Sequence, residues 1–323
     1  MHRTKRTFLS FTAALLLLVS ISSQVFSDEK SFNITIILNQ SSTMHEESVS
    51  TLVDTFKSES LKKTQFNYVY SDDQDSIRDI STQKLDYIVS VGVKSAKAVL
   101  ETKPDSPVLF TLIPKSSFDF LVNSYKTSLP ENYSAIFLTQ PLERKFNLAK
   151  LLLAGNVKAG MAVSAVSEEE TNKVNQLAAN SGISLNLQKL SDYNKPIDAL
   201  DAALDDANIF IAKYDNSVLN KHTVKFLLYM AYKKNIPVIG YSSGFTRAGA
   251  VASVYSTPIQ IGKQSAELLK NHLERKVLNQ QQYPVYFTVS VNERVRRILR
   301  LEKLTADKAR LKLIQIERGG SDD

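Results

Sequence analysis

The chain has 323 residues, with 40 Lys and Arg against 33 Asp and Glu, a formal net charge of +7 and no cysteine. That length suits one large or two medium domains of about 100–200 residues each. The missing cysteines exclude a disulfide framework and any thiolate metal site.

Residues 1–27 open on His2, Arg3, Lys5 and Arg6, continue through an apolar core over 8–21, and end on Val25-Phe26-Ser27. This three-part pattern predicts a signal peptide cleaved before Asp28. An uncleaved anchor is the alternative, but the apolar run is short for a span of about 20 residues. Loss of Arg3, Lys5 and Arg6 lowers the formal charge from +7 to +4. Lipid attachment needs a cysteine after the apolar run, so the expectation is a free exported protein in a bacterial periplasm. The remaining basic excess lies near the C-terminus, in Arg294, Arg296, Arg297, Arg300, Lys303, Lys308, Arg310 and Lys312. A solvated helix face is the expected reading there, and a nucleic-acid or lipid stripe the alternative.

The mature sequence alternates apolar strands with amphipathic helices. A strand is predicted over 33–38, then a helix over 46–56 with Val49, Leu52, Val53 and Phe56 on one face. Strands follow at 66–70, 86–91 and 108–113, with a helix beginning at Ser95 between the last two. A βα order of this kind predicts a parallel sheet covered on both faces. A second set begins after a strand at 135–138. Its helices fall at 142–153, 168–179, 196–204 and 218–233, and its strands at 158–163, 183–187, 207–212 and 237–239. Residues 240–245 then read as a polar loop, 248–254 as a strand of small side chains, 259–269 as a helix and 283–291 as a late strand. Val295, Ile298, Leu299 and Leu301 are compatible with a short helix, and 319–323 with a frayed end.

Several segments, taken in order, resemble the family of ABC-transporter substrate-binding proteins that includes importers of aromatic amino acids. They are Gln140-Pro141-Leu142-Glu143, then Gly160-Met161-Ala162-Val163 with its polar loop, then Tyr214-Asp215-Asn216-Ser217-Val218. The last and longest is 236–269, with an Ile-Pro-Val strand, a Phe loop, an Ala-Gly-Ala-Val-Ala-Ser strand and a Gly-Lys-Gln helix. The resemblance runs from about 34 to about 291. It implies an α/β fold of two doubly wound Rossmann-like lobes joined by a multi-strand hinge, the type I periplasmic binding protein architecture. The expected division is 28–134 plus about 254–282 for lobe 1, 135–253 plus about 283–300 for lobe 2, and a tail over 301–323. It further implies a small-molecule ligand held between lobes that close around it.

Such a site draws its groups from strand C-termini and helix N-termini, where unpaired N–H groups and a partial positive charge are available. In lobe 1 the candidates are Gln40, Ser41 and Ser42, and Gly92, Lys94 and Ser95. Ser95 would cap its helix, and each serine there is either a cap or a ligand contact. In lobe 2 the candidates are Asp215 and Asn216, with Ser164 and Ser167 on a neighbouring loop. For Asp215 the alternative is an Asx turn or an N-cap. Phe245 and Tyr255 would stack on a ring, or sit in the core, and Ser242 and Ser243 would hydrogen-bond the ligand. Members of the family often carry acids just before the site Phe. Ser242 and Ser243 stand in those places, leaving Asp215 as the best single anion.

Catalytic signatures are missing. His2, His45, His222 and His272 share no metal-ligand spacing, and Val49 stands where an HExxH motif needs its second histidine. There is no GxSxG elbow, P-loop or GxGxxG. No cofactor, no metal and no nucleic acid are expected, and a monomer is. The resulting expectation is a periplasmic solute-binding component of an ABC importer, partnered by a membrane permease. The alternatives are a sensory binding protein feeding a membrane kinase or cyclase, and an α/β enzyme.

Overall fold

The structure, a computed structural model, describes residues 31–39, 43–60, 63–125, 129–153, 155–164, 167–275 and 281–319. The predicted signal peptide, the candidates Gln40, Ser41 and Ser42, and residues 320–323 lie outside the described residues.

The first half runs β1 (Phe32–Leu38), α1 (Thr43–Glu59), β2 (Thr64–Tyr70), α2 (Gln74–Thr82), β3 (Tyr87–Val91), α3 (Gly92–Thr102), β4 (Val108–Ile113), α4 (Lys115–Ser124) and β5 (Tyr133–Phe137). The second runs α5 (Leu142–Leu152), β6 (Val157–Val163), α6 (Glu168–Asn180), β7 (Ile183–Lys189), α7 (Pro196–Leu204), β8 (Ile209–Ile211), α8 (Lys221–Lys233), β9 (Val238–Gly240), α9 (Ser243–Ala248) and β10 (Ala252–Tyr255). The chain ends through α10 (Pro258–Arg275), β11 (Gln281–Gln282), β12 (Thr288–Val291), α11 (Glu293–Ile298) and α12 (Ala306–Glu317).

Two six-stranded sheets result, ordered β2-β1-β3-β4-β5-β11 and β7-β6-β8-β9-β10-β12. All pairs are parallel except β10 with β12. Each sheet is buried on both faces, and alternation along the strands divides the side chains between two cores. Ile34, Ile36 and Leu38 pack beneath α1 and α10, whereas Ile37 points to the core under α2, α3 and α4. Likewise Ile209 and Ile211 meet α5, α6 and α12, while Phe210 and Ala212 meet α7 and α8. Helices α1 and α10 approach closely at Gly262, where an added Cβ would lie 2.3 Å from the Ser48 carbonyl oxygen.

The chain passes between the sheets three times: from β5 to α5, from β10 to α10, and from β11 to β12. Side chains join these crossings. Gln140 Nε2 donates to Ser256 Oγ at 2.8 Å, and Ser256 Oγ donates to the Tyr286 carbonyl at 2.6 Å. Arg144 is 5% exposed and donates to Gln140 Oε1, the Pro284 carbonyl and both carboxylate oxygens of Glu317. Its guanidinium lies 4.0 Å from the Phe287 ring centroid. The hinge is therefore a connected polar and cation–π network, not three independent linkers.

Several expectations need correction. Helix α9 begins inside the predicted loop at 240–245 and runs to Ala248, and the small-residue strand is only β10, because Ser242 caps a helix by accepting from Phe245 N. Helix α8 starts at Lys221, not Val218, because Asn220 accepts from the His222 and Thr223 amides and ends the preceding turn. Helix α3 starts at Gly92, three residues before the predicted Ser95. The late strand shrinks to β12. Helices α2 and α4 were not foreseen; α2 rests on an Asp73 cap and only two buried residues, Ile77 and Ile80. Instead of a tail, 301–323 contains α12, with Leu304, Ala309 and Leu313 buried in the core of the second sheet. Not all of the basic stripe is solvated: Arg296 is 8% exposed and bonded to Glu293 and to the Leu301 and Glu302 carbonyls.

Candidate ligand-binding site

In a parallel sheet the strand C-termini and the following helix N-termini come to one edge. At that edge of the first sheet, Gly92 joins β3 to α3 with φ 86, a conformation that suits glycine. It also sits under a side chain: a Cβ there would lie 2.8 Å from His45 Cε1. Near the start of α1 the run His45-Glu46-Glu47 is polar in sequence. His45 is nevertheless half-buried against Gly92, its Nδ1 is buried without a hydrogen-bond partner, and burial lowers its pKa so that the neutral ring is favoured. Ser95 is not the cap of α3. That place belongs to Val91, which has no side-chain hydrogen bond, and the fully buried Ser95 hydroxyl donates to the Val91 carbonyl at 2.9 Å. Lys94 is exposed.

At the corresponding edge of the second sheet the polar side chains are engaged with main chain. Asp215 Oδ2 accepts from Ser164 N at 2.7 Å, and Oδ1 accepts from Ser217 N at 3.1 Å. The second contact is the Asx turn, and the first ties the loop after β6 to the loop after β8. Asp215 does not cap α8. Asn216 is exposed and donates to the Tyr214 hydroxyl at 3.2 Å. Ser167 is exposed and caps α6 in a reciprocal box with Glu170. Ser242 caps α9, and Ser243 accepts from Arg247 at 3.2 Å. Phe245 is 4% exposed and packs in the core, where it ends an aromatic row. Tyr214 and Tyr241 stand 5.3 Å apart edge to face, and Tyr241 and Phe245 5.0 Å apart. Tyr255, partly exposed, ends β10 opposite Thr288.

A cavity of about 430 Å³ opens between the two sheets. Lys115, Ser116 and Asp119 of α4 line it on one side, Thr139, Gln140 and Tyr283 at the crossings, and Lys145, Lys213 and Tyr214 on the other. The exit of β4 toward it is bulged at Leu112, whose φ of 53 costs about 1–3 kcal/mol. None of the described sequence candidates lines this cavity: Ser164, Asp215 and Asn216 gather beside Tyr214, which does, while Ser242, Ser243 and Phe245 gather around α9.

Sequence reasoning missed the most unusual group here. Lys145 is 2% exposed. Its Nζ donates to the Ala212 carbonyl at 2.7 Å and lies 5.9 Å from the Tyr241 ring centroid. Among the described residues no carboxylate pairs with it. Burial, helped by the nearby Lys213 charge, pulls its pKa down to about 7. Its position was legible: Lys145, Leu148, Ala149 and Leu152 share the i, i+3, i+4, i+7 stripe of α5, so a lysine stands on an apolar face. Tyr241 is pushed the other way, upward, by burial and then by Tyr214 and Asp215.

Comparison with known proteins agrees with this architecture. The family profile described as ABC transporter substrate binding protein matches residues 32–286, and the chain belongs to that family. No curated protein sequence matches the chain. Among solved structures, a conserved domain protein of Vibrio cholerae is 20% identical, with a TM-score of 0.55, over 87% of this chain and 98% of its own. The ligand-free, open form of CD0873, a substrate-binding protein with adhesive properties from Clostridium difficile, is 16% identical with a TM-score of 0.66, over 86% and 97%. An ABC domain of Streptococcus pneumoniae in complex with L-Trp is 12% identical with a TM-score of 0.54, over 84% and 96%. At these identities the likeness concerns the fold: two lobes of the type I periplasmic binding protein class. The protein is a substrate-binding component of an ABC transporter.

Proposed function

We propose that this protein captures a small organic ligand in the periplasm, between two lobes that close around it, and delivers it unchanged to an inner-membrane ABC permease. The observation that carries this reading is the cavity of about 430 Å³ at the strand ends of two doubly wound sheets joined by three crossings. One lobe comprises the chain up to about residue 137 with about 257–282, and the other takes the remainder, including α12. Export rests on the three-part N-terminal pattern and on the family. No helix among the described residues is long and apolar enough to cross a membrane. The cavity wall is assigned to Lys145, Lys213 and Tyr214 in the second lobe and to Lys115 and Ser116 in the first; Ser164, Asp215, Asn216, Ser242, Ser243, Gly92, Lys94 and His45 lie at the strand ends beyond its lining and would be reached on closure. The protein works as a monomer, because each chain carries both walls.

Closure predicts compaction. Small-angle scattering of the mature protein is expected to show a smaller radius of gyration when a bound ligand, retained from its own periplasm and identified by native mass spectrometry, is added back. Identical profiles with and without that ligand would sink the closure reading. Chemical alteration of the ligand on long incubation would make the protein an enzyme instead.

A further inference from the structure

The cavity between the lobes holds a cation that the protein itself does not neutralise. Lys145 approaches the floor from α5, and three features define its surroundings. Its ammonium has three N–H groups and, among the described residues, one protein acceptor, the Ala212 carbonyl. The next residue along the same strand end is Lys213, a like charge that also lines the cavity. Nearby acids are engaged elsewhere or stand beyond ion-pairing distance. Asp119 is paired with Lys115 at 2.7 Å, and Asp215 accepts two main-chain amides. Glu143 and Glu170 line the cavity without an ion pair to Lys145. A buried charge with unused donors is costly in isolation, and a ligand that brings the missing acceptor recovers that cost on binding.

The rest of the lining limits what that ligand can be. Leu142, Val163, Val174, Leu177 and Leu187 provide an apolar surface, with the rings of Tyr214 and Tyr283 beside them. Of the cavity lysines, Lys115 is paired with Asp119 and Lys173 with Glu169, whereas Lys145 and Lys213 have no ion pair among the described residues. Two unpaired lysines, one of them buried with a single acceptor, with Glu143 and Glu170 also in the lining, suit a monoanion rather than a phosphate. We propose that the cavity takes an organic monocarboxylate with an aromatic or branched aliphatic body, its carboxylate accepting from Lys145 Nζ with Lys213 as a second cation. This deepens the binding reading above and rests on it.

A second property follows from the same geometry. Lys145 is packed by α5 and by the ends of β8 and β9. The charge acting on it is that of Lys213, and the Tyr241 ring faces its Nζ; Tyr214, Glu143 on its own helix, and Glu170 and Lys173 of α6 line the same cavity, and Asp215 acts on Tyr241. In the empty protein its pKa near 7 leaves much of it neutral above pH 7. A bound carboxylate favours the ammonium, so binding at pH 8 takes up a proton.

The test is calorimetry on the mature protein with phenylacetate, indole-3-acetate and 3-methylbutanoate, each beside its neutral amide, and with inorganic phosphate. The carboxylates are expected to bind about tenfold or more tightly than their amides and phosphate. Titrations at pH 8 in buffers of different ionisation enthalpy are expected to show proton uptake. Lys145→Met, close in volume and apolar enough to keep the core, should abolish both the preference and the proton uptake. Lys213→Gln, at a partly exposed site, should weaken carboxylate binding by a smaller factor. Equal binding of acids and amides, tighter binding of phosphate, or a preference that survives Lys145→Met would overturn the assignment. Compaction around a neutral or cationic ligand, with no response to these acids, would overturn it as well while leaving the transport reading intact.

Discussion

In the first lobe the β3–α3 junction is built on Gly92 and the β4–α4 junction carries one lysine, Lys115, neutralised by Asp119, whereas the corresponding junctions of the second lobe carry tyrosines, an aspartate and two lysines without an ion pair among the described residues. Gly92 puts no side chain at its junction, and the His45 ring lies where a Cβ would stand. Across the cleft, Tyr214, Asp215, Tyr241, Lys145 and Lys213 crowd the ends of β8 and β9. Both sheets have the same strand order, so topology delivers the same edge twice. The side chains placed on those edges differ in kind. A wall built of backbone can hold any group that accepts from amides, while a wall of side chains selects by charge and shape. On the proposed reading the second lobe is therefore the one expected to discriminate.

The sharpest way to break this contrast is to put a side chain into the bare wall. Gly92→Val meets both a φ of 86 and the His45 ring, and is expected to destabilise the protein by about 2–4 kcal/mol. Urea denaturation measures the loss, and a change under about 0.5 kcal/mol would mean that the junction is not pinned as described.

The second lobe should instead show its charge. Lys145 titrates near pH 7 when folded and near its ordinary 10.5 when unfolded. Between those values the unfolded chain binds more protons, so this group contributes stability that rises from about pH 7 toward pH 10 and is lost as the pH falls. Thermal unfolding from pH 7 to pH 9.5 is expected to show a rising Tm that flattens in Lys145→Met, and an unchanged slope in the variant would remove Lys145 as its source. The smallest effect belongs to Asp215→Ala. It removes two acceptors from main-chain amides at a partly exposed turn, for about 1 kcal/mol of stability. It is also expected to weaken ligand binding, since it releases the loop after β6. Unchanged affinity by calorimetry would take Asp215 out of the wall.

Much of the fold was legible in the chain. The buried strands β1, β3, β4 and β6 announce themselves as apolar runs, and α7 begins at Pro196, a residue that suits the first helical turn. Elements that depend on a cap or a partner were harder. Helix α2 is mostly polar, and α12 owes its place to the second-sheet core that Leu304, Ala309 and Leu313 complete. The site was less legible than the fold. Its serines were recognised, but Ser167 and Ser242 turn out to be caps, Ser95 an internal helix bond, and Ser164 an amide donor to Asp215. Local hydrogen bonds and ligand contacts call for the same residue types, so a serine before a helix does not announce which it makes.

By itself the sequence determined the period of each element, the alternation of strand and helix, the family, and the unusual serines at 242 and 243. These are local or cumulative properties, carried by spacing along the chain. Only the tertiary structure decided that three distant crossings share one hydrogen-bonded network through Arg144, that His45 lies on Gly92, and that Lys145 and Lys213 meet at one cavity. Residues 145 and 213 come together because α5 packs across the second sheet at the end of β8, and the energy of a buried charge depends on which groups surround it in space rather than on its neighbours in the chain.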